Sequence, residues 1–408
     1  METGTVCRNQ EISERADRAL MDTYGHRDVA IVRGEGAYVW DADGKRYLDF
    51  LAGIATNNLG HCHPAISEAI AKQAGRLLHV SNIVLIEEQV ELAEILLSET
   101  GMDRAFIANT GTEAAECAIK LARMAGLRKS PERDTIMVFT GSFHGRTFGA
   151  LSATHEPKYR EGFGGMLQGF RFAEFNSLAD VDAKWDERIC AVMLEPIQGN
   201  SGVATASKEF LTGLRERCTR RGVPLVLDEV QCGMGRSGRS FAYQHAGIEP
   251  DVLLLAKALG GGIPIGATLA RGEYAEVFHK GQHGTTFGGN PLACAVACVA
   301  ARMLFDFELH EEVGRLGCRL WGHMLEVQKR MPDMIDHMRG KGLMLGLVLN
   351  RSALPFPKIA LKHGLLITGA GGNVVRLVPP LIVTEDQIDD GARRIEAALR
   401  ELAETPAT

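Results

Sequence analysis

No apolar run in this sequence is long enough to cross a bilayer. The longest, Pro291 to Ala301, falls well short of the roughly 20 residues a spanning helix needs and is expected to be a helix buried in protein. The chain also lacks a charge bias: 45 basic against 51 acidic residues leave a formal net charge of −6, which argues against a nucleic-acid binder. Cysteine is dilute. Nine of them, an odd number, are scattered through 408 residues, which speaks for reduced thiols in a cytoplasm and against a disulfide framework. The first residues have no apolar core and mix Glu2, Glu11 and Glu14 with Arg8, Arg15 and Arg18, so neither a secretory signal nor an acid-poor transit peptide is expected. No internal repeat and no low-complexity segment is visible.

What is present is an ordinary globular composition, 45% hydrophobic and 24% charged, on a chain long enough for more than one subdomain. Tyr38-Val39-Trp40 and Arg46 to Phe50, joined through Asp41-Ala42-Asp43-Gly44, read as a hairpin. From about residue 84, helical periodicity alternates with short apolar runs expected to be buried parallel strands: Ala105–Ala108, Ile136–Phe139, Ala191–Leu194, Leu225–Leu227 and Val252–Leu255. Beyond about residue 305 the pattern returns to helix, strands at Leu343–Leu349 and Val374–Val378, and a last helix opened by a Thr384–Gln387 capping box. The expected division is residues 1–65 and 305–408 in a smaller α+β domain built from both chain ends, around a large α/β domain at 66–304. His61-Cys62-His63 invites a metal, but adjacent ligands diverge and Pro64 follows, so a turn is expected and no metal. Cys294 and Cys298 share one helix face and are expected to pack as small hydrophobes.

Several apolar runs end in a polar residue, and open α/β sheets bind ligands at the carboxyl ends of their strands. Asp228 follows one run, and Lys257 follows another 29 residues on. Chemistry at the α-carbon of an amino acid needs an electron sink; a pyridine ring serves if an anion keeps its nitrogen protonated, and a lysine is needed to form an imine with the cofactor aldehyde. Each residue alone could equally be a cap or a solvated side chain. Asn109-Thr110-Gly111-Thr112-Glu113 opens a helix whose backbone N–H groups form an anion site, with Gly111 permitting close approach. Phe143-His144-Gly145-Arg146 offers a ring that can stack and a guanidinium that can clamp a carboxylate. Thr285-Thr286-Phe287-Gly288-Gly289-Asn290-Pro291 is a hydroxyl-glycine loop running into a capped helix. Val375-Arg376-Leu377 sets an arginine inside an apolar strand, where a protein or substrate carboxylate should face it.

These six segments, in this order, resemble the class III aminotransferases of the fold-type I, pyridoxal-phosphate-dependent architecture, from about Tyr24 to the final helix. Gly34 to Asp41, Asn58 to Pro64 and His283 to Pro291 carry the likeness to the branch acting on acetylornithine and succinylornithine. That resemblance implies a large domain with a mostly parallel seven-stranded sheet flanked by helices. It also implies pyridoxal 5'-phosphate held as a Schiff base on Lys257, with Asp228 on the ring nitrogen and Gln231 on the phenolic oxygen. Phe143 and Val230 sandwich the ring with His144 beside it, Gly111 and Thr112 hold the phosphate, and Thr286 reaches it from the other subunit of a homodimer. The substrate side is implied to be Arg146, Arg376, Thr285 and Glu195, the last neutralising one arginine when a one-carboxylate substrate is bound; either arginine can take either carboxylate.

The implied reaction moves an amino group from N-acetylornithine or a related ω-amine to 2-oxoglutarate in a cytoplasmic, arginine-forming step, with no nucleic-acid or membrane partner. Succinylornithine, ornithine, 4-aminobutyrate or a diamine are the alternatives within the class. An aminomutase and a cofactor-binding regulatory or assembly subunit stand outside it. Three positions depart from the family pattern: Ile83-Val84 where paired tyrosines are common, Asn200-Ser201 in place of Glu-Gly, and Ala115 in place of Asn.

Overall fold

A computed structural model describes residues 7–405. Its centre is a seven-stranded sheet in the spatial order Arg104–Ala108, Gly266–Ala270, Val252–Ala256, Leu225–Asp228, Ile189–Leu194, Thr135–Phe139, Phe170–Ala173. The middle strands run as unbroken apolar segments because both faces are covered. Leu225, Leu227, Leu253 and Leu255 face one core, while Val226, Val252 and Leu254 face another with the alanine-rich helix Gly111–Lys129. Each such side chain contributes about 1.5–3 kcal/mol on leaving water.

All five apolar runs read from the sequence are strands, but the outermost does not join a parallel neighbour. Gly266–Ala270, not anticipated as a strand, inserts antiparallel between Val252–Ala256 and Arg104–Ala108. Its sequence, Gly-Ala-Thr-Leu-Ala, is mostly small, with Leu269 its single bulky apolar side chain. Phe170–Ala173, also unanticipated, extends the opposite edge in parallel.

Residues from the two chain ends share a second core. Leu48 and Phe50 meet Leu345, Leu347, Val375 and Leu377 and the helix residues Ile388 and Ile395. The Tyr38–Asp41 and Arg46–Asp49 strands form the expected hairpin, and Leu365–Leu366 pairs parallel with the second. The final helix begins at the expected capping box, Thr384 Oγ1 accepting from Gln387 N and Gln387 Oε1 from Thr384 N. His63 caps the helix Pro64–Ala74, and His61 bonds Asp49 at 2.7 Å, so the His-Cys-His triplet forms a turn. Among the described residues no helix is long and apolar enough to cross a membrane.

Gly266 lies against the backbone of Thr110, the N-cap of the helix Gly111–Lys129, and a Cβ there would overlap the Thr110 carbonyl. Gly266→Ala is therefore expected to cost about 1–3 kcal/mol, the usual range for overpacking. The same substitution displaces the helix start. Denaturation midpoints of the apoprotein, and phosphate-ester affinity measured alongside, check both effects.

Candidate active site

A cavity of about 380 Å³ opens at the carboxyl ends of the central strands. It lies within the size range of small-ligand sites. Asp228, the last residue of its strand, forms one end. Its Oδ2 lies 2.7 Å from His144 Nδ1, and its Oδ1 accepts from Val230 N at 3.1 Å. Asp228 and His144 are both buried. Burial opposes charge on His144, but the hydrogen bond and charge of Asp228, with Glu195 adding, outweigh it and raise the pKa of the imidazole. His144 Nε2 has no partner among the described residues.

Lys257 begins the turn after Val252–Ala256 and lines the cavity with a positive φ of 47°, a strained conformation for a non-glycine residue. Burial lowers the pKa of its amine against the pull of Asp228 and Glu195, which favours the nucleophilic neutral form. The other end is the start of the helix Gly111–Lys129, capped by Thr110, which accepts from Glu113 N. Gly111 sits under Val230, with a would-be Cβ 2.7 Å from Val230 Cγ1. Thr112 Oγ1 accepts from Arg146 N at 3.3 Å and pairs with Thr147 Oγ1 at 2.9 Å, tying the helix start to the Phe143–Arg146 loop.

Phe143, Val230, Gln231, Glu195 and Arg146 complete the wall. Arg146 reaches solvent and stacks over Tyr159, its guanidinium carbon 3.9 Å from the ring centroid. Glu195 Oε2 accepts from Phe143 N at 2.8 Å, and no arginine among the described residues bonds this carboxyl. Arg376 stands behind Gln231 and outside the cavity wall. Its Nη1 donates to Gly199 O, Asn200 Oδ1 and Gln231 Oε1 at 3.0, 3.3 and 3.2 Å. Thr285 also stays off the wall, accepting from Asn109 Nδ2, and Thr286 is exposed.

Residues that sequence reasoning did not single out include Tyr159 and Thr56. Thr56 is delivered by a turn in which Ala52, Gly53, Ile54 and Ala55 all have positive φ. No sequence pattern marks either.

This donor set fits an acidic, aldehyde-bearing aromatic cofactor. The Asp228 carboxyl could take a ring nitrogen at one end and the helix N–H groups a phosphate at the other, with two apolar side chains for the ring faces and an amine of lowered pKa lining the same cavity. Fold and site together define a transferase of the pyridoxal-phosphate type. The chain belongs to the class III aminotransferases: that family's model, aminotransferase class-III, matches residues 21–399.

An acetylornithine aminotransferase of Caldanaerobacter subterraneus is 45% identical over 94% of this chain and 98% of its own length. One from Methanocaldococcus jannaschii is 44% identical over 90% and 93%. Among solved structures, ornithine aminotransferase from Toxoplasma gondii superimposes with a TM-score of 0.94 at 31% identity, covering 98% of this chain and 96% of that one. The N-acetylornithine aminotransferase of Stenotrophomonas maltophilia gives 0.83 at 37%, covering 94% and 98%. The protein is thus a pyridoxal-phosphate-dependent transaminase.

Burial pushes the Glu195 carboxyl up to about 8, against the pull of His144, with Asp228 adding to the rise. The folded state therefore holds this proton more tightly than the unfolded chain, whose glutamate titrates near 4.5. Stability is full below the unfolded value and declines as pH climbs towards the folded one. Glu195→Gln removes that decline. Urea midpoints of the apoprotein between roughly pH 5 and 8 should be flatter for the variant, with a residual slope from Glu229, which burial also raises to about 8.

Proposed function

We propose that the chain transfers the δ-amino group of N-acetylornithine to 2-oxoglutarate, giving N-acetylglutamate 5-semialdehyde and glutamate in arginine biosynthesis. The observation that carries this reading is the 41–45% identity, over nearly full length, to curated acetylornithine aminotransferases. A reducing cytoplasm suits its nine free cysteines.

When bound, the cofactor supplies a sink for the electrons left on the reacting carbon after proton loss. The chain's residues do the rest. Lys257 Nζ would hold the cofactor's aldehyde carbon, and its amine would serve as the base for the proton on the substrate's reacting carbon. Asp228, held by His144, keeps the ring nitrogen protonated. Backbone N–H groups at Gly111 and Thr112 hold the phosphate. Phe143 and Val230 exclude water from the two ring faces. Gln231 gives its Oε1 to Arg376, so its NH2 is the group it offers the cofactor's phenolic oxygen. Arg146, open at the mouth, takes the carboxylate far from the reacting carbon.

The active unit in this reading is a homodimer with shared sites. Leu77, Leu78, Ile83, Val84, Leu85 and Phe287 are exposed apolar side chains next to Thr286, and Asn82 Nδ2 ties their two segments together by donating to Thr285 O and Gly288 O. Apolar exposure of this extent marks a protein interface. Across it, Thr286 reaches the other subunit's phosphate.

Borohydride treatment of the holoprotein, followed by peptide mapping, should find the cofactor on Lys257; a label elsewhere removes that residue from its role. Lys257→Ala should lose at least about 10²–10⁴-fold in turnover of N-acetylornithine with 2-oxoglutarate. Sedimentation should show a dimer. Thr286→Ala should weaken cofactor affinity about tenfold, the scale of one hydrogen bond to a charged group.

A further inference from the structure

Four consecutive residues, Ala52, Gly53, Ile54 and Ala55, hold left-handed φ angles of 46°, 61°, 64° and 59°, and three of them carry a Cβ. The Cβ crowds the backbone in that region, so such a run persists only where its surroundings over-determine it. The run stands at the cavity. Thr56, the next residue, lines the wall together with Gly262, Ile263 and Pro264, and a Cβ on Gly262 would lie 3.0 Å from Asn57 Oδ1. The turn is thus packed on the loop that follows Lys257.

Its hold comes from Asp49. Asp49 Oδ1 accepts from Leu51 N and Ala52 N, each at 2.8 Å, and Oδ2 accepts from His61 Nε2 at 2.7 Å. Asp49 is 1% exposed, and His61 is the one side-chain donor to it among the described residues. The charge of Asp49 also opposes the fall that burial imposes on the pKa of Arg236, which bonds Asn58 at the far end of the same segment. His61 is fixed in turn. Its backbone exchanges two hydrogen bonds with Gly36, and its ring fills the space left by Gly34, where a Cβ would lie 2.6 Å from His61 Cβ and 2.7 Å from Cγ.

Resting on the transaminase reading above, we propose that His61 is a positioning residue of the active site. Through Asp49 it pins the left-handed turn, and the pinned turn sets Thr56 and the Gly262 loop as the wall against which a substrate packs beside Lys257. Without the His61 N–H the buried carboxyl loses the bond that fixes its rotamer, and the turn relaxes. Substrate binding suffers. Cofactor binding, made by Asp228, the start of the helix Gly111–Lys129 and the ring-face side chains, does not.

The test compares wild type with three variants. His61→Phe keeps a ring and removes the donor, His61→Gln keeps an N–H donor, and Gly34→Ala alters neither partner but displaces the ring. Hydrogen exchange over residues 51–57 is followed by mass spectrometry in apoprotein and holoenzyme. KM and kcat are measured for the half-reactions with glutamate and with N-acetylornithine, and the cofactor dissociation constant by titration of its absorbance. His61→Phe and Gly34→Ala should speed exchange and raise KM for both amines about tenfold, the scale of one lost hydrogen bond to a charged group. In both, kcat stays within about threefold and the cofactor constant within about twofold, and His61→Gln stays near wild type throughout. The proposal is overturned if neither exchange nor KM moves, or if one moves without the other. It is equally overturned if His61→Gln is as impaired as His61→Phe, or if cofactor affinity falls in step with substrate affinity, the mark of general loosening. Should His61→Phe not fold, Gly34→Ala reaches the same contact and decides. A wild type that reacts with glutamate but not N-acetylornithine removes the donor reading and leaves glutamate to test His61. If it reacts with neither, the transaminase reading fails on its own, and exchange with calorimetric glutarate binding decides.

Discussion

The contact on which this site depends is the 2.7 Å pairing of Asp228 with His144. A carboxylate buried at a strand end would ordinarily take up a proton and go neutral. Here that carboxylate pairs with a buried imidazole and raises its pKa. Holding His144 in place needs the whole Phe143–Thr147 loop. His144 N donates to Thr154 Oγ1, Phe143 N to Glu195, and Arg146 N to Thr112 at the start of the helix that would receive a phosphate. The acid end and the anion end of the cavity are therefore fastened by one loop, whose backbone N–H groups donate to the side chains of Thr154, Glu195 and Thr112.

Much of this was legible in the residues. Asp228 and Lys257 end consecutive apolar runs, the Thr110-Gly111 cap announces a helix start, and the run of Leu253, Leu254 and Leu255 reads best as a strand buried on both faces. These signals are local: a periodicity, a cap, a polar residue at a strand end. The antiparallel insertion of Gly266–Ala270 was not legible, because small residues there serve close approach to Thr110 and carry no strand signature. The partner of Glu195 was not legible either. A glutamate after an apolar run can bond an arginine or a loop amide, and only the fold of the Phe143 loop decides. The same holds for Tyr159, whose stacking over Arg146 depends on a contact that no spacing encodes.

Arg376 is not the only buried arginine among the described residues. Arg236 is more deeply buried, wholly inaccessible, and burial lowers its pKa to about 9, again with no bonded carboxylate. Its guanidinium uses both terminal nitrogens: Nη1 donates to the Leu343 and Pro379 carbonyls, and Nη2 to Asn58 Oδ1. These acceptors come from the N-terminal segment and from two stretches near the C-terminus, so Arg236 joins both chain ends to the loop that follows Asp228. Its neutral acceptors are structural partners, and it has no reason to await a ligand. Both arginines leave Nε without a partner, and Arg376 differs in that no described residue accepts from its Nη2.

The two cations are mechanically related. Arg236 lies five residues beyond Gln231, and the carbonyl it holds, Pro379, lies three residues beyond Arg376. Gln231 and Arg376 are themselves hydrogen-bonded. A closed circuit results: the loop from Gln231 to Arg236, across to Pro379, back along the strand to Arg376, and across to Gln231 again. A circuit of this kind restricts sliding of the C-terminal sheet against the cofactor wall, because movement at either crossing breaks a bond made by a buried guanidinium. Arg376 is thereby held against Gln231, a residue of the cavity wall.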